Sequence, residues 1–248
     1  MLSDLATFRD RVLDNARLRP GETVVDVGAG TGLLTVGAAQ RVAPGGDVLA
    51  VDVSVDALEE LRGICSAPNV FYLIGSADVL PLVDEGVDAV LTRSVLIYVQ
   101  DKAEAAREFF RVLRSGGRIS IFEPINSIST RLSEAVDFGE LRTHVFEWER
   151  DGYEDPDDPM LNFDEHDLER LFREAGFVDV VGRLEPGSSR VSAERTLNAV
   201  GAPGRLSLRA AWAERFPQDV VERLTASMCA QGEITRDWPQ LYLVGTKP

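Results

Sequence analysis

Residues Val24 to Gly32 read VVDVGAGTG, with three glycines at alternate positions directly after a β-branched run that holds one carboxylate, Asp26. A glycine loop between a strand and a helix lets backbone approach a ligand that side chains would hold off. Three ligands compete for such a loop. A P-loop needs Lys and Ser/Thr after its last glycine to hold phosphate and magnesium, whereas Gly32 is followed by Leu33 and Leu34. The dinucleotide fingerprint G-x-G-x-x-G needs a third glycine where Leu33 stands. Asp26 argues further in the same direction. A carboxylate two residues before Gly28 lies near the place of a dinucleotide pyrophosphate, and like charges in a poorly solvated crevice repel by several kcal/mol. S-adenosylmethionine carries an ammonium and a sulfonium and no phosphate, so it turns that repulsion into attraction. Asp52, 20 residues beyond Gly32, is placed to accept hydrogen bonds from both ribose hydroxyls, although NAD enzymes use an acid there too.

Outward from the loop, apolar runs of strand length recur: TVVDV (23–27), DVLAVD (47–52), VFYLI (70–74), VDAVLT (87–92) and RISIF (118–122). Between them stand helix-like segments from Leu33, Val55 and Ala103, the last closing on Ser115, Gly116 and Gly117 as a glycine-capped helix would. Alternating strands and helices predict an α/β fold with a doubly wound, mostly parallel sheet whose crevice lies at the carboxyl ends of the strands. A helix from Asp164, a strand VDVVGR and a last strand LYLVGT raise the sheet to seven strands. Two stretches, 123–163 and 185–238, are too long to be connections. Both hold helical pattern, and they are read as helical covers on a single domain spanning 1–248.

The chain has 248 residues, with 41 acids against 26 bases and a formal charge of −15. No Lys/Arg cluster is visible, so nucleic acid and anionic membrane are expected not to be partners. Two cysteines far apart, the absence of a leader pattern in MLSDLATFRD, and no run near the roughly 20 apolar residues of a membrane span predict a cytoplasmic protein.

The stretches LRPGETVVDVGAGTG, VLAVDVS, GSADVLPL, VDAVLTRSVLIYV and REFFRVLRSGGRISIFEP occur in an order and spacing that resemble the class I S-adenosylmethionine-dependent methyltransferases, in particular the small-molecule group that includes ubiquinone/menaquinone-type enzymes. The match covers about residues 18–125, and FDEHDLERLFREAGF with the final strand extends it. The resemblance implies that Asp26 faces the methionine end of the cofactor, that Gly28, Gly30 and Gly32 contact it, and that Asp52, with Val53 beside it, holds the ribose. The family's Gly-Asp-Ala after the third strand is replaced by Gly75, Ser76 and Ala77. Ser76 or Asp78 can stand in for the missing acid, since either accepts from the adenine amine. Arg93 and Tyr98 face the same crevice in the family.

The resemblance leaves the acceptor open. Residues 92–95 read Thr-Arg-Ser-Val, not the Asn-Pro-Pro-Tyr element used on planar amide or base nitrogens. Glu123, in a position that faces the acceptor in this fold, and His144, in the first cover, are the candidate catalytic bases; the alternatives are a helix cap or a partner for an arginine for Glu123 and simple packing for His144. The acidic run at 149–159 is read as a solvated loop or as a site for a cation, and no metal is assigned. Phe138, Phe146, Trp148, Phe163, Trp212 and Trp238 line an apolar acceptor pocket or form the covers' own core. The expected function is methyl transfer to the O, N or C of a small molecule, in secondary metabolism. A catalytically silent cofactor-binding regulator or assembly partner, and a nicotinamide-dependent oxidoreductase, are the competing readings.

Overall fold

The structure, a computed structural model, describes residues 2–200 and 204–248. In chain order the elements are α1 (Leu2–Ala16), β1 (Thr23–Val27), α2 (Leu33–Val42), β2 (Asp47–Asp52), α3 (Val55–Ile64), β3 (Val70–Ile74), β4 (Val87–Arg93), α4 (Lys102–Val112) and β5 (Leu113–Pro124). They continue with α5 (Leu132–Ala135), α6 (Arg142–Tyr153), α7 (Glu165–Glu174), β6 (Val178–Glu185), β7 (Ser188–Ser192), α8 (Ala193–Asn198), α9 (Leu208–Arg215), α10 (Gln218–Gln231), β8 (Glu233–Asp237) and β9 (Gln240–Thr246). The chain divides into two compact units, one formed by Met1–Ile125, Phe163–Glu185 and Gln240–Pro248, the other by Asn126–Asn162 and Pro186–Pro239.

The first unit holds a seven-stranded sheet in the order β3-β2-β1-β4-β5-β9-β6. All pairs from β3 to β5 are parallel, and β9 runs antiparallel to both β5 and β6. Strands buried on both faces read as unbroken apolar runs rather than alternations. Accordingly Val24, Val25, Val48, Ala50, Val90 and Leu91 are fully buried. Short polar caps begin the helices: Ser54 accepts from Ala57 N–H, Asp101 from Glu104 N–H, and Asp164 and Asp167 cap each other's backbone N–H reciprocally. After β1 the chain winds outward through β2 and β3, then returns to the other side of β1 as β4. That reversal opens a crevice at the carboxyl ends of β1 and β4, where such sheets bind ligands.

The two long stretches set apart in the sequence build the second unit. Its core gathers Leu132, Val145, Leu197, Trp212, Leu224 and Met228. Trp212 meets Phe138 edge-on at 6.0 Å and Trp148 at 6.3 Å, so these aromatics pack on one another. Phe163 belongs to the first unit, where the Lys102 ammonium sits 4.6 Å from its ring centre. A two-stranded antiparallel ribbon, β7 with β8, pairs Val191 with Ile234. Among the described residues, no helix is long and apolar enough to cross a membrane.

Candidate functional site

Two adjoining cavities of the first unit, of about 380 and 210 Å³, share Gly28. The larger is lined by Asp52, Val53, Ser76, Ala77, Asp78 and Tyr98, among others. The smaller is lined by Asp26, Gly30 and Arg93 together with Thr31 and Leu33. Of the ten residues expected at a cofactor, nine therefore meet in one crevice.

Gly32 lines neither cavity. It stands at the N-cap of α2 with φ of 92°, and a Cβ there would come within 2.1 Å of Leu61 Cδ1. Its smallness serves the packing of α2 against α3. Gly28 has φ of 68° and a Cβ on it would meet Val95 Cγ2 at 2.2 Å, whereas Gly30, with φ of 51°, has open space where a Cβ would stand. The loop is anchored by Gly28 and Ala29 N–H donating to Val51 O at 2.8 and 3.0 Å.

Asp52 ends β2 with both carboxylate oxygens pinned: Oδ2 accepts from Gly30 N–H at 2.7 Å and Oδ1 from Ser54 N–H at 2.8 Å. Each oxygen keeps a lone pair for a ligand hydroxyl. Asp26 is 1% exposed and accepts from the Thr35 hydroxyl at 2.6 Å. Burial pushes its carboxyl up to about 7, against the downward pull of that hydrogen bond, with the Asp52 charge adding to the rise. The Ser76 hydroxyl is engaged with Asp78 Oδ1, which leaves acceptor lone pairs on both residues. Burial lowers the pKa of the Arg93 guanidinium, which lies 5.7 and 5.9 Å from the ring centres of Phe122 and Phe8. The crevice thus presents three carboxylates and one guanidinium.

The two candidate bases stand elsewhere. Glu123, on β5, is fully buried and lines neither cavity. Its Oε1 accepts from Val95 and Leu96 N–H at 2.8 and 2.9 Å, and its Oε2 from Ile97 N–H at 3.4 Å. Burial pushes this carboxyl up to about 7 despite those three donors. It holds the turn that delivers Ser94, Val95 and Tyr98 to the cofactor-sized cavity. His144 is exposed on α6, in the second unit, with its ring 6.0 Å from that of Phe216. Thr35, Val95 and Gln100 were not expected at the site; the only signal for Thr35 is its place on the helix that follows the glycine loop. In the acidic run, Asp158 is 8% exposed and paired with Arg205, so that residue is not part of a solvated loop. Among the described residues no group of His, Cys, Asp or Glu is arranged to hold a metal ion.

Residues 25–121 match the family model described as a methyltransferase domain. The chain is 32% identical over 148 residues to the ubiquinone/menaquinone biosynthesis C-methyltransferase of Pasteurella multocida, covering 56% of this chain and 55% of that one. It is 35% identical over 115 residues to an arsenite methyltransferase of Halobacterium salinarum, covering 45% of this chain and 29% of the relative. The chain thus spans about half the length of the first of these relatives and less of the second. Among solved structures, the YcgJ protein of Bacillus subtilis shares the fold with a TM-score of 0.60 at 16% identity, over 96% of this chain and 97% of that one. Residues 25–121, which hold the glycine loop and the acid of β2, are thus similar to a methyltransferase domain, and the seven-stranded sheet shares its fold with solved structures of that kind.

Proposed function

We propose that the crevice of the first unit binds S-adenosylmethionine and that the protein transfers its methyl group to a small-molecule acceptor. The observation that carries this reading is Asp52, whose carboxylate is fixed by Gly30 and Ser54 N–H while it lines a cavity of about 380 Å³. An acceptor so fixed is prepared for a ribose diol without reorganisation. In this reading Ser76 and Asp78 accept from the adenine amine, with Val53 and Ala77 against the ring. Asp26 meets the ammonium of the methionine end and Arg93 its carboxylate, while Gly30 leaves room for the ligand beside the backbone. Three carboxylates against one guanidinium disfavour a pyrophosphate at the same place.

The bound cofactor supplies a methyl group on a sulfonium, whose loss leaves a neutral thioether. What the chain contributes is positioning and exclusion of water, and near-attack alignment alone supplies a large part of such a rate. Glu123 acts through the turn it holds rather than on a reacting atom. His144 is the remaining candidate for proton removal. The −15 charge supports a small molecule over nucleic acid as acceptor.

Calorimetric titration with S-adenosylmethionine, its demethylated product and NADH tests the binding, and transfer of labelled methyl to a panel of small hydroxyl, amine and activated-carbon compounds tests the activity. Binding of the first two without NADH, with label incorporation, is the expected result. Cofactor binding without turnover on any acceptor favours the regulator reading, and NADH binding alone overturns the proposal.

A further inference from the structure

The second unit contains two cavities of its own, of about 310 and 440 Å³, and both are lined by Tyr153, Asp158, Leu161, Arg205 and Arg236. Small-molecule pockets fall in the range of about 300 to 1,000 Å³. The larger adds Leu132, Trp148 and Leu208 as an apolar wall, together with Arg215.

Three acids and three arginines face this larger cavity, and their partners differ. Glu149 accepts from Leu132 and Ser133 N–H at 2.5 and 3.0 Å. Asp151 pairs with Arg150 at 3.2 Å. Asp158 accepts from Met160 N–H at 2.9 Å and pairs with Arg205. Every carboxylate of the cavity is therefore satisfied from within the protein. Two of the three guanidiniums are not. Arg236 donates its Nε–H to Thr130 O at 2.8 Å and takes part in a hydrogen bond with the Tyr153 hydroxyl, but among the described residues it has no carboxylate partner. Arg215 sits 5.9 Å from the ring centre of Phe216 and likewise pairs with no carboxylate among the described residues. Two guanidiniums without a carboxylate partner thus face one cavity that also carries an apolar wall. A guanidinium offers a planar fork of five N–H donors that matches a carboxylate or a phosphate.

We propose that this cavity binds a small anionic molecule with an apolar body, the acid group held by Arg236 and Arg215 and the body laid on Leu132, Trp148, Leu161 and Leu208. The site lies wholly in the second unit and does not depend on what the first unit binds.

The test compares 4-phenylbutyrate and phenyl phosphate with 4-phenylbutanol and 4-phenylbutylamine, each titrated to millimolar concentration and followed by calorimetry and ligand-observed magnetic resonance. The acids are expected to bind at least about tenfold tighter than the alcohol and the amine, and the better of the two acids tells a carboxylate site from a phosphate site. Arg236→Gln and Arg215→Gln should each weaken the better acid by about fivefold to tenfold while the melting transition stays in place. Arg215 is exposed, so its variant decides the matter if the Arg236 variant does not fold. Equal binding of acid and alcohol, no saturable binding of either acid by folded protein, or affinities within twofold of wild type in both variants would each overturn the proposal.

Discussion

The buried Asp26 makes cofactor affinity depend on pH in a way that can be calculated. Its carboxyl is pushed up to about 7 by burial, so free protein at pH 6 holds a proton there in about ten molecules of eleven. A ligand ammonium beside Asp26 binds the ionised form and expels that proton. Affinity should therefore rise by about tenfold between pH 6 and pH 8, close to 1.4 kcal/mol, with the steep part below about 7 and a plateau above. Calorimetry in two buffers of different ionisation heat counts the protons directly: nearly one released per S-adenosylmethionine bound at pH 6, about half of one at pH 7, and almost none at pH 8. The ligand's own ammonium titrates in the same range. At pH 6 that ammonium is protonated both free and bound, so the difference there between wild type and an Asp26→Asn variant isolates the contribution of Asp26. Asp26→Asn should also bind more weakly at pH 8. If wild type and variant release the same number of protons, Asp26 does not meet a cation and the orientation assigned to the methionine end is wrong.

Other substitutions separate ligand contacts from framework. Asp52→Ala should weaken S-adenosylmethionine by roughly 2 to 4 kcal/mol, because it removes a charged acceptor and leaves hydroxyls unpaired; a calorimetric affinity within twofold of wild type removes Asp52 from the site. Glu123→Gln sets an amide N–H against a backbone N–H at Val95, Leu96 or Ile97 and should cost about 1 to 3 kcal/mol in urea unfolding, with cofactor affinity falling as the turn loosens. An unchanged unfolding midpoint with lost turnover would instead restore Glu123 as a base. Gly32→Ala drives a Cβ into Leu61 and should destabilise by about 1 to 3 kcal/mol while affinity, measured well below the melting point, stays within twofold. Stability against pH carries a defined sign: Asp26 and Glu123 have folded values raised above the ordinary 3.8 and 4.5, so the native state holds protons that the unfolded chain has lost. Their contribution is fully present below about pH 4 and is lost as pH rises to about 7, and the Asp26→Asn difference curve should show that fall.

The strands at 23–27 and 47–52 are legible because a strand buried on both faces has to be largely apolar, and turn residues bound each run, whereas the edge strand at 70–74 is marked by its apolar run although Phe71 and Ile74 are exposed. Asp52 is legible from its distance to the loop. Other features depend on tertiary neighbours that no local pattern carries. Ser115, Gly116 and Gly117 read as the close of a helix, yet α4 ends at Val112 and β5 begins at Leu113, paired with Val87; Gly116 N–H then donates to Lys247 O from the far end of the chain. The strands β7 and β8 each bring one aliphatic side chain to the pair, Val191 opposite Ile234, too little alternation to mark a strand. The three glycines look alike in sequence, and only their neighbours, Val95 against Gly28 and Leu61 against Gly32 but nothing against Gly30, tell them apart. Arg205, Arg215 and Arg236 are scattered through 32 residues, so no basic cluster is visible until the second unit brings them to one cavity.

Asp26 and Glu123 show why a raised pKa does not by itself identify a base. Both are buried carboxyls pushed up to about 7 at the ends of neighbouring parts of one sheet. Glu123 spends its oxygens on three backbone donors of a single turn, so its charge is already answered by the chain and no ligand atom can reach it. Asp26 accepts from the hydroxyl and the backbone N–H of a single residue, Thr35, and lines a cavity of about 210 Å³. On the proposed reading, a ligand cation adds a partner to its ionised form on the cavity side. On the proposed reading the strain at Asp26 is available to binding, whereas that at Glu123 is absorbed in holding the turn that shapes the adjoining cavity. Donor count and access to space, read together, support the proposed ligand role of Asp26 and a framework role for Glu123.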